Sequence, residues 1–243
     1  SQRALSVARR PASRMASPAD KTAGEFKDRL EWSCRCGKVH GCVRKTKPVI
    51  HHLCHCENCT DAVRVVMGKV GLIYEEEYID KYGAVEYVCF YKRDVVVTKG
   101  LELIDGFVVV EGSDNVRNFA MCCNTPIASN VDAMPHIALY PQNFKSEESK
   151  KVLGKPSVRV MTRFAQIQPP DDPPSKLNYG KMFMLMVCKF ICCSCCYLSK
   201  SQPNPIPPKE HMFKVAVNMH RKCSVGRRST VGSAASPRAR GLV

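Results

Sequence analysis

The chain has 243 residues, a hydrophobic content of 44% and a formal net charge of +15. This length accommodates one sizeable domain with tails or two small domains, and the composition is ordinary for a globular protein. The fifteen cysteines are grouped in CxC, CxxC and CC runs. Such short spacings favour metal binding in a reducing compartment over a secreted disulfide scaffold.

The positive charge is concentrated at the two ends of the chain. Residues 1–30 carry a net +4 and residues 211–243 carry +7 without a single acid, whereas the long stretch 31–210 carries only +4. Basic ends of this kind are typical of tails that bind RNA, anionic lipid or an acidic protein partner, and flexible solvated termini are the alternative.

The first nineteen residues contain four arginines, several serines and alanines, and no acid. This pattern is typical of an organellar targeting peptide and predicts a mitochondrial protein on the matrix side or at the inner membrane. A retained N-terminal extension explains the same composition. The arginines are Arg3, Arg9, Arg10 and Arg14.

Short strands broken by turn residues dominate the pattern from residue 30 to residue 140, which predicts a mainly β fold with antiparallel sheets. A helical turn is expected at 61–66 and a short helix at 146–153. The apolar run 107–110 does not alternate, so we expect both of its faces to be covered. One predicted strand ends near residue 34. The others span 39–43, 49–53, 85–90, 95–98, 101–104, 107–111 and 116–121.

A second apolar region follows a proline-rich linker. Residues 181–198 form a predicted apolar, cysteine-rich helix with Lys189 near its middle. Its length lies at the lower limit for a membrane span, so it is interpreted as a packed or partner-binding helix, an interfacial membrane helix or a true span. The predicted organisation is a basic arm (1–29), a zinc-binding β domain (30–140), a proline-rich extension (141–180), this helix and a basic tail (199–243).

Two groups of cysteines have metal-ligand spacing. Cys34 and Cys36 are one residue apart, and Cys54, Cys56 and Cys59 follow in a CHCENC run. Thiolates at these spacings can point at one centre about 2.3 Å from each sulfur, which is the geometry that Zn²⁺ prefers. Neither a pair nor a trio closes a tetrahedron, so further ligands must come from water or from elsewhere in the chain.

These motifs, followed by a β region and Cys123-Asn124-Thr125-Pro126, resemble the glutathione-dependent formaldehyde-activating enzyme family, whose domain centromere protein V shares. The resemblance covers about residues 31–140 and matches a mostly uncharacterised subgroup. It implies a β-tent of stacked antiparallel sheets with two zinc ions. It also implies that Cys34, Cys36 and Cys123 belong to a structural site, and that Cys54, Cys56 and Cys59 hold a zinc with an open position.

The chain departs from the enzyme pattern around its last cysteine motif. Position 120 is alanine where the family has a cysteine, Asn124 replaces a glycine, and Cys122 is an extra cysteine beside Cys123. In an extended strand neighbouring side chains point to opposite faces, so Cys122 is expected to close the Cys54, Cys56 and Cys59 trio; in a tight turn it completes the first site instead. The extra thiol makes catalysis doubtful, because a catalytic zinc needs an open position.

Three histidines beside the trio, His51, His52 and His55, could ligate a metal or shuttle protons. His51 and His52 are expected to be exposed or to pack, and His55 matches a family position that is not a ligand. Cys42, Cys89 and Cys223 have no predicted partner. Five helix cysteines share one face and are expected to pack, with acylation, metal binding or a partner as alternatives: Cys188, Cys192, Cys193, Cys195 and Cys196.

The sequence therefore supports three functional hypotheses. The first is a non-catalytic zinc-binding accessory subunit of a large mitochondrial, membrane-associated complex of the respiratory type, because the enzyme motif is altered and the extensions are long. The second is a carbon–sulfur lyase that joins a thiol such as glutathione to an aldehyde. The third is a component of a ribosome-type or nucleic-acid-binding assembly that binds through the basic tails.

Overall fold

The computed structural model describes residues 28–44, 47–68, 75–132, 134–173 and 204–206, and the backbone of 213–214. The predicted helix at 181–198 and most of the two basic tails lie outside these residues. The strands are β1 (Arg29–Ser33), β2 (His40–Arg44), β3 (Ile50–Cys54), β4 (Val85–Tyr91), β5 (Val95–Lys99), β6 (Ile104–Val108), β7 (Asn115–Ala120), β8 (Thr125–Val131), β9 (His136–Leu139), β10 (Val158–Val160) and β11 (Phe213–Lys214).

Three α-helices lie among the described residues: α1 (Glu57–Gly68), α2 (Glu75–Tyr78) and α3 (Glu147–Leu153). Ser146 caps α3, because its side chain accepts a hydrogen bond from the Ser149 backbone N–H. No helix within the described residues is long and apolar enough to span a membrane.

The strands form two sheets. One has three strands in the order β1-β2-β5, and the other has eight in the order β10-β3-β4-β9-β8-β7-β6-β11. The pairs are antiparallel except at the two edges of the large sheet, where β10 pairs with β3 and β11 pairs with β6 in parallel. The prediction of a mainly β protein is confirmed, and the sheet is mixed because these two edge strands come from the C-terminal part of the chain.

Two hydrophobic cores lie within the part of the chain that the structure describes. The first core contains Trp32 of β1 and Phe90 of β4, and Cys122 and Cys123 pack against its side. The second core is centred on α1 and on aromatic side chains such as Tyr87 and Tyr140, and it includes Cys54 and Cys59. Each predicted cysteine motif therefore lies at the boundary of a different core.

Two strand predictions are wrong in detail. Residues 101–103 form a 3-10 turn rather than the start of a strand, because Gly100 adopts a left-handed φ of 76° and turns the chain before β6. The predicted strand at 107–111 lies in β6, which ends at Val108. The side chain of Val110 is 42% exposed, so the apolar run is not covered on both faces. The predicted helical turn at 61–66 belongs to the longer helix α1.

Candidate metal centres

Four cysteines from two separate turns converge into what we call the first cluster. Cys34 and Cys36 lie in the turn between β1 and β2, and Cys122 and Cys123 lie in the turn between β7 and β8. All four Sγ atoms are within 4.8 Å of one another. The cluster therefore links the small sheet to the large sheet.

The spacing of these sulfur atoms matches a tetrahedral metal site. The Sγ atom of Cys34 lies 3.6 Å from that of Cys36 and 3.8 Å from that of Cys122. The Cys36–Cys122 and Cys122–Cys123 separations are 3.3 and 3.8 Å. A tetrahedron with metal–sulfur bonds of about 2.3 Å has edges of about 3.8 Å. Four thiolates in this arrangement can hold a metal ion with no open position.

Both turns of the first cluster depend on residues with a left-handed backbone. Gly37 has a φ of 71° and Asn124 has a φ of 51°. Asparagine tolerates this region better than most residues with a side chain, so Asn124 serves where the related pattern has glycine. The Arg35 backbone N–H donates to the Thr125 hydroxyl at 3.0 Å, which fastens one turn to the other.

The side chain of Cys122 points into the first cluster. Residues 121–124 form a turn rather than a continuation of β7, so the alternation of an extended strand does not apply to them. Cys122 joins Cys34, Cys36 and Cys123, and it is absent from the group that contains Cys54. The alternative in which a tight turn completes the first site is the one that the structure adopts.

The surroundings influence the thiols of the first cluster differently. Burial raises the pKa of Cys34. Burial also acts to raise the pKa of Cys123, but hydrogen bonds from the Thr125 hydroxyl and the backbone N–H of Cys36 outweigh it and lower that pKa to about 7. The Cys123 sulfur and the Thr125 oxygen are 3.0 Å apart. At least one thiol is thus close to ionisation at neutral pH, as metal binding requires.

The second cluster consists of Cys54, Cys56 and Cys59, whose Sγ atoms also lie within 4.8 Å of one another. Cys54 ends β3, and Cys59 lies in the first turn of α1. The backbone N–H of Cys59 donates to the Cys56 carbonyl at 3.0 Å, and this turn directs both side chains toward Cys54. Within the described residues no fourth cysteine, histidine or carboxylate completes this group.

A buried arginine lies against the second cluster. Arg117 on β7 is 6% exposed, and its guanidinium donates to the Cys59 sulfur at 3.7 Å. It also donates to the Ser129 hydroxyl at 2.6 Å and to the Tyr87 hydroxyl at 3.3 Å. None of the ion pairs found within the described residues gives Arg117 a carboxylate partner.

Arg117 and the thiols of the second cluster influence one another's pKa values. Hydrogen bonds from the thiols of Cys54 and Cys56 lower the pKa of Cys59 well below its usual value, and the charge of Arg117 adds to this effect. Burial alone would lower the pKa of Arg117, but the neighbouring Tyr87 and Cys59 raise it, so the guanidinium stays protonated. A buried cation requires a compensating anion, and the Cys59 sulfur, whose pKa is lowered, is the group of the second cluster that contacts Arg117.

Two tyrosines extend this network. The hydroxyl groups of Tyr87 and Tyr140 are 3.2 Å apart, and both side chains are 2% exposed. Burial raises the pKa of Tyr140 to about 12 and raises the pKa of Tyr87 well above its usual value. Both phenols therefore keep their protons at neutral pH, and either hydroxyl can donate to the other beside the second cluster.

The three neighbouring histidines are buried, and none belongs to either cluster. His51 lies 2.7 Å from Glu86, His52 stacks on Tyr87, and His55 contacts Arg159 at 3.4 Å. The packing role predicted for His51 and His52 fits these contacts, and the exposed role predicted as their alternative is wrong. Desolvation lowers the pKa of His52 to about 4 and also lowers the pKa of His55, so both imidazoles are neutral at pH 7.

Two further described cysteines, Cys42 and Cys89, belong to neither cluster. Cys42 and Cys89 are buried in β2 and β4, where desolvation raises the pKa of each thiol. Cys223 and the five helix cysteines lie outside the described residues.

The sequence analysis missed Arg117, Tyr87 and Tyr140. A detectable sign was the position of Arg117, two residues before the buried Phe119, which places both side chains on one face of β7. A charge at an inward position of a strand is unusual and indicates a specific partner. The tyrosines gave no comparable sign, because aromatic residues are common in any strand.

Comparison with known sequences identifies a protein family that the chain matches. Residues 28–213 match a family of unknown function, DUF6151, and the chain belongs to that family. No curated protein matches the chain. The matched region includes every cysteine of both clusters.

Proposed function

We propose that this member of DUF6151 binds two zinc ions and uses the second to join a thiol to an aldehyde. Cys34, Cys36, Cys122 and Cys123 would hold a structural zinc, and the second cluster would hold a reactive one. Thiolates in tetrahedral spacing and a reducing-type cysteine pattern favour Zn²⁺ over harder metals.

The observation that carries this proposal is the location of Cys122. An extra thiol in the open position at the Cys54, Cys56 and Cys59 trio would make catalysis doubtful. Strand alternation predicted that Cys122 fills this position. The extra thiol lies in the first cluster instead. Three thiolates leave one position for a substrate, which is the arrangement of catalytic zinc sites.

The proposed reaction forms a carbon–sulfur bond. The thiol loses its proton, its sulfur attacks the aldehyde carbon, and the former carbonyl oxygen gains a proton to give a hemithioacetal. When bound, zinc supplies the acidity that converts the thiol to a thiolate at neutral pH. The atoms balance without an oxidant or reductant.

The residues of the chain have separable tasks in this proposal. Arg117 balances the net charge of −1 that three thiolates and one Zn²⁺ would carry, and its contact with Cys59 orients that ligand. The Tyr87 hydroxyl accepts from Arg117 at 3.3 Å and pairs with the Tyr140 hydroxyl, so these phenols supply polar groups next to the second cluster. Cys56 is only partly buried, so one side of the cluster faces the surface.

The test is an exchange measurement on the full-length protein. Glutathione and formaldehyde are mixed with zinc-loaded protein, and two-dimensional NMR exchange spectroscopy measures how fast the hemithioacetal forms and dissociates. We expect the wild-type protein to accelerate exchange and Cys56→Ser to abolish the acceleration with one zinc per chain retained. Cys42→Ala, which changes a buried cysteine outside both clusters, is the matched control.

No acceleration by wild-type protein that contains two zinc ions per chain would refute the lyase proposal. A Cys56→Ser variant that keeps both zinc ions would refute the assignment of the second cluster.

The resemblance to the formaldehyde-activating enzyme family supports the same proposal. The two clusters use the cysteine motifs on which the resemblance rests, apart from the exchange of position 120 for Cys122. We also propose that the two sheets correspond to the β-tent of that family, with the small sheet joined to the large one through the first cluster.

A second candidate is the non-catalytic accessory subunit of a large mitochondrial, membrane-associated complex. Features outside the described residues favour it, namely the apolar cysteine-rich segment 181–198 and the +7 charge of residues 211–243. Mass spectrometry across native-gel slices of gently solubilised organelles tests this candidate. Migration with a very large complex supports it, and migration as a monomer or small oligomer refutes it.

The basic tail is also compatible with a role in a ribosome-type or nucleic-acid-binding assembly. This role predicts a different experimental result. Binding of RNA through the tail would weaken steeply with salt and would disappear when residues 211–243 are deleted. Binding that survives the deletion would exclude the tail as the contact.

A further inference from the structure

A basic cavity lies at one end of the described fold, away from both cysteine clusters. Its volume is about 240 Å³. Arg44 ends β2, Arg93 and Asp94 lie in the 3-10 turn after β4, and Lys47 precedes β3. The lining residues are Arg44, Lys47, Val49, Phe90, Tyr91, Arg93 and Asp94.

The pairing of β3 with β4 separates this cavity from the second cluster. Cys54 pairs with Val85 at one end of the two strands, and Ile50 pairs with Cys89 at the other end. Tyr91, which lines the cavity, is six residues from Val85, a distance of about 20 Å along an extended strand. A ligand in the cavity would thus lie outside the metal centres.

A single acidic side chain lies beside two of the basic side chains of the cavity. Asp94 has a side chain that is only 9% exposed, and its Oδ1 atom lies 3.5 Å from Arg44 Nε and 3.9 Å from Arg93 Nε. The two arginine side chains remain 56% and 44% exposed. One largely buried carboxylate therefore lies beside two partly exposed guanidinium groups at one opening.

We propose that this cavity binds a phosphate monoester. Three cations and one carboxylate give the lining a net charge of +2, which matches the charge of about −2 that a monoester carries at neutral pH. Guanidinium groups present paired N–H donors that fit phosphate oxygens in a bidentate manner.

The walls indicate what accompanies the phosphate group. Val49 and Phe90 are apolar, and Tyr91 adds an aromatic ring over which Arg93 lies at 5.7 Å. The volume of about 240 Å³ is far above the roughly 10–15 Å³ that a single water molecule needs. It therefore accommodates a phosphate together with a small apolar or aromatic substituent rather than a bare ion alone.

The test uses the full-length, zinc-loaded protein and two probes, inorganic phosphate and phenyl phosphate. Isothermal titration at constant ionic strength should give saturable binding of both, with phenyl phosphate the tighter. The double variant Arg44→Gln/Arg93→Gln should bind phenyl phosphate at least about tenfold more weakly, because both bidentate donors are lost.

A matched control removes the same charge elsewhere. Lys150 and Arg163 are exposed residues outside the cavity, and Lys150→Gln/Arg163→Gln also lowers the net charge by two. We expect this double variant to bind phenyl phosphate as the wild type does. Thermal unfolding and zinc content, measured for both double variants, verify that each retains its fold.

Two results would overturn the proposal. Absence of saturable binding by either phosphate probe would exclude the site. An equal loss of affinity in the control variant would assign binding to the overall charge of +15 and not to the cavity.

The same chemistry has a soluble source and a membrane source, which vesicles distinguish. Phosphatidylcholine vesicles that contain phosphatidic acid present a monoester, whereas those that contain phosphatidylserine present only a diester. Selective binding to the former that phenyl phosphate displaces would identify a lipid headgroup as the ligand. Saturable phenyl phosphate binding without such vesicle binding would identify a soluble phosphate ester.

Discussion

The two cysteine clusters differ in how the negative charge of their metal-bound thiolates would be stabilised. Four thiolates and one Zn²⁺ would give the first cluster a net charge of −2, and this cluster includes an exposed residue, Cys36, through which water can solvate the charge. Three thiolates would give the second cluster −1, and Arg117 lies buried against it. The deeper cluster thus has fewer thiolates and its own cation, as the cost of burying charge requires.

The clusters also differ in what they connect. The first joins two turns that are about 90 residues apart in sequence, and it bridges the two sheets. The second joins the end of β3 to the start of α1, which are adjacent in the chain. Loss of metal from the first cluster removes a long-range connection, whereas loss from the second removes a local one.

The largest expected effect comes from Cys34→Ser. This change should release the first zinc and lower the free energy of unfolding by about 5 kcal/mol or more, because structural zinc contributes directly to folding. Urea unfolding and metal analysis measure both quantities. The matched variant Cys54→Ser should release the second zinc with a loss below about 2 kcal/mol, since the packing of α1 remains.

Equal destabilisation by Cys34→Ser and Cys54→Ser would contradict the division into a structural and a reactive cluster. A Cys122→Ser variant adds an independent check. It should behave as Cys34→Ser does, and loss of the second zinc instead would show that Cys122 belongs to the other cluster.

The next effect concerns the cation of the second cluster. Arg117→Gln should weaken zinc binding at the second cluster and lower stability by about 3–5 kcal/mol, because it leaves buried anions without their partner. Chelator competition distinguishes the two zinc ions. Lys92→Gln is the matched control, since Lys92 is another buried cation, 2% exposed, but its ammonium donates to the Val131 carbonyl at 2.8 Å. Release of the second zinc by both variants alike would contradict a specific role for Arg117.

A smaller effect is expected from acid, through a group that belongs to neither cluster. Burial, followed by the charge of Lys92, lowers the pKa of His136 to about 4, below the unfolded value of 6.5. The unfolded chain therefore binds the extra proton first as the pH falls. The contribution of neutral His136, about 3 kcal/mol, is complete above pH 6.5 and is lost between pH 6.5 and 4.

Unfolding experiments on His136→Gln across this pH range test the assignment. The variant should lose less stability than the wild type between pH 6.5 and 4. Zinc content must be measured at each pH, because protonation of the cysteine ligands also releases metal. Parallel pH profiles of the wild type and the variant would contradict the assignment.

Much of the fold and of the clusters could be predicted from the sequence, for physical reasons that differ by region. Strand periodicity placed β4, β5 and β7 within about a residue of their observed limits, because β-branched and aromatic runs between glycines have few alternatives. The short ligand spacings indicated Cys34 with Cys36 and the Cys54 trio. The side on which Cys122 lies depends on the conformation of one turn, which local sequence did not determine.

Arg117 could not be assigned because its partners come from distant segments. Cys59 precedes it by 58 residues, and Ser129 follows it by 12. The parallel pairing of β10 with β3 is a long-range feature of the same kind, since Val158 lies opposite His52. Pairings of this type depend on the tertiary fold rather than on local preference.

The smallest expected effect tests whether the second cluster uses its tyrosine pair. Tyr140→Phe removes the hydroxyl that lies 3.2 Å from the Tyr87 oxygen but preserves the packed ring. We expect a stability loss of about 1 kcal/mol and unchanged content of both zinc ions. Under the proposed reaction, hemithioacetal exchange should slow several-fold, because the Tyr87–Tyr140 network beside the second cluster loses one hydroxyl. Unchanged exchange in this variant, together with its loss in Cys56→Ser, would confine the chemistry to the metal and its ligands.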